Sequence, residues 1–166
     1  MSLKNNNGTV IWYLEMLSIN EFKGTRLPIE ANVVKQEIPL ASVNKFFYNE
    51  VGKFWKWNSR IKWSDEDWIK WVQRDELETW ILLFKGTLAG YYELNTFDND
   101  VEIAYFGLLS QFIGLGLGGG LLSVAIENAW KKEKDRIWVH TCNLDHPNAL
   151  RNYQDRGFKI YKETKE

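Results

Sequence analysis

The feature that most constrains the fold is a run of glycines between a strand-like and a helix-like segment. Residues 111–120 read Gln-Phe-Ile-Gly-Leu-Gly-Leu-Gly-Gly-Gly, with five glycines in the seven positions from Gly114 to Gly120. Upstream, Val101–Leu108 has the β-branched and aromatic character of a strand. Downstream, Leu121, Leu122, Ala125, Ile126 and Ala129 share one face of a helix expected over Gly116–Lys132. The first N–H groups of a helix have no intrahelical acceptor, and the helix dipole adds positive potential there. Glycines without Cβ atoms let an anion approach that backbone closely. Inside a helix each glycine costs ~1 kcal/mol relative to alanine. Such a concentration points to diphosphate binding rather than to tight helix packing alone.

Around this turn the pattern is mixed α/β. Strands are expected at Thr9–Leu17 and Ile29–Ile38, and helices at Leu40–Val51 and Ser64–Gln73. Ser64 followed by Asp67 reads as a helix start. Glu78–Phe84 and Leu88–Leu94 flank a Lys85-Gly86 hairpin turn. Val101–Leu108, the long helix, a strand at Arg136–Cys142, a short helix from Pro147 to Asp155 and a strand beginning at Phe158–Tyr161 follow. The order ββ-αα-βββ-α-β-α-β implies one mixed α/β domain.

Several ligand classes fall away. The net charge of −1 gives no basic excess for nucleic acid. No apolar run reaches the ~18 residues of a membrane span. Cys142 is the only cysteine, so no intrachain disulfide forms, and with His140 and His146 alone it makes no structural zinc site. Met1–Gly8 lacks an apolar signal core. A cytoplasmic protein without metal is expected. The glycine run lacks the Lys of a Walker loop. Gly114, Gly116 and Gly119 formally match a dinucleotide fingerprint. Leu109–Ile113, however, separates them from the strand, and Asp135 precedes the next strand rather than closing it.

Two motifs carry a family resemblance. Gln111-Phe112-Ile113-Gly114-Leu115-Gly116 matches the pyrophosphate motif Gln/Arg-x-x-Gly-x-Gly/Ala, and Tyr153-Gln-Asp-Arg-Gly157-Phe158 follows one helix and one strand later. In this the chain resembles the GCN5-related N-acetyltransferases, closely over Leu77–Tyr161 and in element order over residues 1–76. The resemblance implies the acyl-CoA N-acyltransferase fold: a mostly antiparallel sheet, splayed between Val101–Leu108 and Arg136–Cys142 and flanked by helices. It implies one domain, with residues 77–161 as the acetyl-CoA-binding core and residues 1–76 as the acceptor side. Acetyl-CoA would be the cosubstrate. Its pantetheine would pair with the backbone at Ala104, Tyr105 and Phe106. Its pyrophosphate would sit at Gln111 and on the N–H groups of Phe112, Ile113, Gly114, Leu115, Gly116 and Leu117.

The same resemblance places Tyr153 as the general acid for the leaving thiolate. An attacking ammonium must first lose a proton. Glu102 is the first candidate base, read by alternation as sharing a side with Ala104 and Phe106, and Glu93 is the second. The glutamate that many members carry twelve residues before the tyrosine is Thr141 here. His146 stands where many have a cofactor-contacting asparagine, and otherwise helps cap the helix after Pro147. His140 reads as a structural strand histidine, and a Cys142–His140 nucleophile pair lacks an orienting third residue. Trp68 and Trp71 read as core, while Trp55 and Trp57 suit the wall of an acceptor pocket. The activity implied is acetyl transfer to a small amine or peptide amine by direct attack. A non-catalytic acyl-CoA-binding module is the alternative. A homodimer covering the last strand is a further expectation.

Overall fold

The computed structural model describes residues 8–166. Met1–Asn7, most of the stretch read above for a signal core, lies outside the described residues. The strands are β1 (Val10–Met16), β2 (Ala31–Lys35), β3 (Leu77–Phe84), β4 (Thr87–Phe97), β5 (Asp100–Leu108), β6 (Arg136–Cys142) and β7 (Lys159–Lys165). The helices are α1 (Ala41–Gly52), α2 (Asp65–Val72), α3 (Gly118–Trp130) and α4 (Ala149–Asp155). The expected element order holds. The glycine run enters the helix two residues later than Gly116, after a short 3-10 turn at Ser110–Phe112. Ser64 caps α2 as its spacing with Asp67 predicts. Each side chain takes the other residue's backbone N–H, at 3.2 and 2.9 Å.

One sheet of order β2-β3-β4-β5-β6-β1-β7 holds all seven strands. Every neighbouring pair is antiparallel except β5–β6. The main core lies between the sheet and α3–α4, where Leu121, Leu122 and Ile126 meet Leu94, Val101, Ile103, Ile137 and Val139. The opposite face of β3–β5 carries α1 and α2 through Phe47, Tyr48, Val51, Trp68, Val72 and Tyr91. No helix among the described residues is long and apolar enough to cross a membrane.

β1 and β2 are consecutive in sequence, but β2 is one edge of the sheet and β1 lies beside β7, the strand at the other edge. Residues 17–30 therefore cross the α3–α4 layer. Thr25 N–H donates to Ser123 Oγ at 2.9 Å, and Lys23 N–H to the Arg156 carbonyl at 2.9 Å. At Gly157 (φ 109°) a Cβ would lie 2.0 Å from the Glu21 carbonyl oxygen, so the crossing depends on glycine there.

Candidate active site

β5 and β6 pair only where Asp100, Val101 and Glu102 face Arg136, Ile137 and Trp138. Beyond Glu102 the strands part. A cavity of about 790 Å³ occupies the fork. Residues 103–108 of β5 form one wall, and Val139, His140 and Cys142 of β6 the other. Tyr153 and Asn152 of α4 and the turn from Gly114 to Gly119 close one side, while Trp55, Trp57 and Ser59 close another. The other edge of β5 is paired with β4, so from Ile103 onward its fork-side backbone has no strand partner.

The glycine run divides by function. Gly114 and Gly116 have φ of 85° and 76°, and nothing lies within 4 Å of where their Cβ atoms would be. They hold a left-handed backbone open to the cavity, a conformation that costs other residues ~1–2 kcal/mol. The N–H groups from Gly114 to Gly120 have no acceptor among the described residues. Phe112 and Ile113 differ: their N–H groups bond the carbonyls of Leu109 (2.9 Å) and Ser110 (3.4 Å). The amides without an acceptor thus begin at Gly114 rather than Phe112. The side chains of Gln111, Phe112 and Leu115 do not line the cavity, and Phe112 packs edge-on to Phe84. Gly119 and Gly120 serve the crossing segment. A Cβ at Gly119 would meet Arg156 Nη1 at 2.7 Å, and one at Gly120 would meet Leu27 at 2.8 Å. The sequence alone could not separate these two uses of glycine.

Tyr153 is 6% exposed, packs edge-on to Phe106 and Phe158, and borders the cavity. Its hydroxyl bonds no protein group among the described residues, so it is free for a ligand. Burial, with the Asp145 carboxylate as a second cause, pushes this phenol well above its ordinary range and keeps it protonated. Burial also pushes the Cys142 thiol up, which suits an inert cysteine rather than a nucleophile.

The two candidate carboxylates have different surroundings. Glu93 is fully buried, and both its oxygens accept from Arg60 Nη1 at 2.9 Å. Trp71 Nε1 adds a third bond at 2.8 Å. The Arg60 guanidinium lies 4.2–5.4 Å from the rings of Tyr105, Trp63, Trp71 and Trp68. This buried pair escaped the sequence reading. An arginine amid five tryptophans was the available signal. Glu102 accepts a single long bond, 3.4 Å, from Asn95 Nδ2, and burial raises its pKa above the ordinary carboxylate value.

Glu102 does not share a side with Phe106. The β4–β5 register shifts where Glu93 and Leu94 face Tyr105 and Ile103, leaving Ala104 as an unpaired extra residue. Strict alternation fails across this bulge. Phe106 packs with Tyr153 toward α4, whereas Glu102 lies on the α1–α2 face, bonded to Asn95. Tyr105 turns to that second face, where its hydroxyl bonds Ser59.

Trp55 and Trp57 reach across the fork. Trp57 Nε1 donates to Asp145 Oδ1 at 3.2 Å, and Trp55 meets the His146 ring edge-on at 4.9 Å. Asp145 Oδ2 accepts from Thr141 Oγ1 at 2.5 Å and from Cys142 N–H at 3.1 Å. Thr141 therefore anchors the loop that carries Asp145. His146 Nδ1 accepts from Asn148 N–H at 3.0 Å, and the residue borders the cavity.

A strand fork, open amides before a helix and a buried tyrosine hydroxyl form one constellation in this chain. The acetyltransferase (GNAT) family model matches residues 44–158. The chain is a member of the GNAT family. A mycothiol acetyltransferase from Corynebacterium aurimucosum is 30% identical over 81 residues, 46% of this chain but only 26% of that protein. The GCN5-related N-acetyltransferase of Sphaerobacter thermophilus superposes with a TM-score of 0.75 at 14% identity, over 95% of this chain and 50% of that one. A GNAT family acetyltransferase from Elizabethkingia anophelis, solved with acetyl-CoA bound, gives 0.62 at 20% identity, covering 81% of this chain and 80% of its own. The splayed sheet with helices on both faces is thus the GNAT acyl-CoA N-acyltransferase fold.

Proposed function

We propose that this GNAT protein binds acetyl-CoA in the β5–β6 fork and transfers the acetyl group to a primary amine by direct attack. The observation that carries this reading is the pairing, in one cavity, of the open amides at Gly114–Gly119 with the free Tyr153 hydroxyl. The unpaired edge of β5 from Ile103 offers backbone groups to the two amides of a pantetheine arm, as an added strand would. Amides from Gly114 onward, at the positive end of α3, suit a pyrophosphate. Acetyl-CoA bound in a relative of the same fold supports the assignment. Tyr153, protonated through burial, supplies a proton to the departing sulfur. Cys142, with its raised thiol, gives no support to a covalent acetyl-enzyme.

Thermal unfolding with acetyl-CoA and NAD in parallel tests the cosubstrate. At 100 times Kd a ligand stabilises by about 2.7 kcal/mol, a shift of roughly 5–10 °C for a domain of this size. A shift with acetyl-CoA and none with NAD is expected. No shift with acetyl-CoA removes the reading. A non-catalytic acyl-CoA module is the second reading, favoured by Thr141 and by the sealing of Glu93 under Arg60. It predicts binding without acetylation of any amine.

A further inference from the structure

Direct attack requires a neutral amine. Two carboxylates line the cavity away from the parting of the strands: Asp155 at the end of α4, paired with Arg151 at 3.6 Å, and Glu166 after β7, beside Thr9. The other three near the fork are no better placed. Glu93 accepts three bonds and is fully buried. Asp145 accepts three bonds, from Trp57, Thr141 and Cys142, that tie it to its own loop and to Trp57. Glu102 does not reach the cavity wall. His140 does. It follows Trp138, the last β6 residue paired with β5, by two positions, and so stands on the same face just past the parting of the strands. Its ring is exposed, stacks on Trp138 at 6.2 Å and meets Tyr13 at 5.7 Å. Neither ring nitrogen has a hydrogen-bond partner among the described residues.

We propose, resting on the acetyl-transfer reading above, that His140 accepts the proton of the attacking ammonium, with the Glu102 carboxylate behind it as the positioning residue. Glu102 lies on the neighbouring strand and the same face, opposite Trp138, and the two groups interact electrostatically. The other ionisable groups around the ring are Tyr13 of β1, with the Lys162 ammonium of β7 over it, the Arg60–Glu93 pair behind Glu102, and Cys142 farther along β6. The imidazole takes one proton from R–NH3+ and becomes imidazolium. The free amine nitrogen then bonds the acetyl carbon, the carbon–sulfur bond breaks, and the thiolate gains a proton from Tyr153. The second proton of the attacking nitrogen returns to the tyrosinate, and exposed His140 releases its own to solvent. The products are an N-acetyl amine and coenzyme A. Imidazole suits this cycle because its charge changes between about pH 5 and 8.

The chain has two histidines, so the two imidazole C2–H signals can be followed by NMR and assigned with His140→Gln. Saturating acetyl-CoA is expected to move the His140 signal. Glu102→Gln is expected to lower the pH midpoint of His140 and leave that of His146 in place. An unmoved His140 midpoint in Glu102→Gln, or an unmoved signal where thermal unfolding shows acetyl-CoA bound, overturns the proposal. Absence of acetyl-CoA binding overturns the functional reading instead, and this inference with it. Two probe amines test the chemistry. Benzylamine is an ammonium at neutral pH, whereas hydroxylamine is largely uncharged. His140→Gln is expected to slow benzylamine acetylation about a hundredfold and hydroxylamine acetylation far less. Equal losses with both probes mean that the ring only shapes the site. If neither probe is accepted, the NMR result alone decides.

Discussion

Tyr153 and Glu102 are both buried acids whose surroundings disfavour the charged form, and the consequences differ. For Tyr153 the consequence is functional. Tyr153→Phe keeps the packing against Phe106 and Phe158 but removes the hydroxyl proposed as the proton source. Turnover should fall by roughly a hundredfold, while the thermal shift with acetyl-CoA persists; steady-state kinetics with any accepted amine checks this. For Glu102 the consequence also reaches stability. Its folded-state pKa lies above the unfolded one, so its contribution is favourable at low pH and is lost as pH rises through the folded value. Glu102→Gln should therefore match wild-type stability near pH 4 and equal or exceed it at pH 7. Denaturant titrations at both pH values decide, and a variant less stable at pH 7 would contradict the raised value. The Arg60–Glu93 pair is the residue-level feature that sequence concealed most fully. Glu93 has the strand position of a plausible base. Only the tertiary approach of the segment before α2 delivers the guanidinium that occupies it. Removing one partner leaves the other buried and unpaired, so Glu93→Gln should cost about 3–5 kcal/mol in chemical denaturation.

Elements defined by local chemistry were legible. The cap at Ser64, the hairpin at Lys85-Gly86 and the strand–turn–helix around Gly114 all follow from short-range spacing. The bulge at Ala104 was not, because it is set by the register of β4 against β5 and carries no glycine to mark it. That one extra residue turned the inferred side of Glu102 around. The glycine run shows the same limit. Its half open to the cavity follows from helix-terminus physics, while the half under residues 17–30 depends on a segment distant in sequence. Two substitutions separate the halves. Gly114→Ala forces a side chain into φ 85° beside open space, so acetyl-CoA affinity should fall along with a stability loss of ~1–2 kcal/mol. Gly120→Ala pushes against Leu27, including its backbone nitrogen at 2.9 Å, so the melting temperature should drop while the folded fraction still binds acetyl-CoA. Calorimetry on both variants distinguishes the outcomes.

At the scale of the molecule, the sequence implied the splayed sheet but not the place of its first strand. β1 lies between β6 and β7 and is antiparallel to both. Nothing local in Val10–Met16 specifies those partners. An interior strand with both edges paired opens only when the sheet does. Amide exchange at Leu14 and Met16, both fully buried, should therefore be as slow as at Ile137 and Val139 of β6. Rapid exchange in β1 would argue against its interior position. The placement also bears on how the chain is made. Residues 10–16 leave the ribosome long before residues 136–142 exist, and the crossing segment cannot settle until α3 has been translated. Until then β1 is an apolar strand without its native partners. Its capture between β6 and β7 joins segments translated far apart into one sheet.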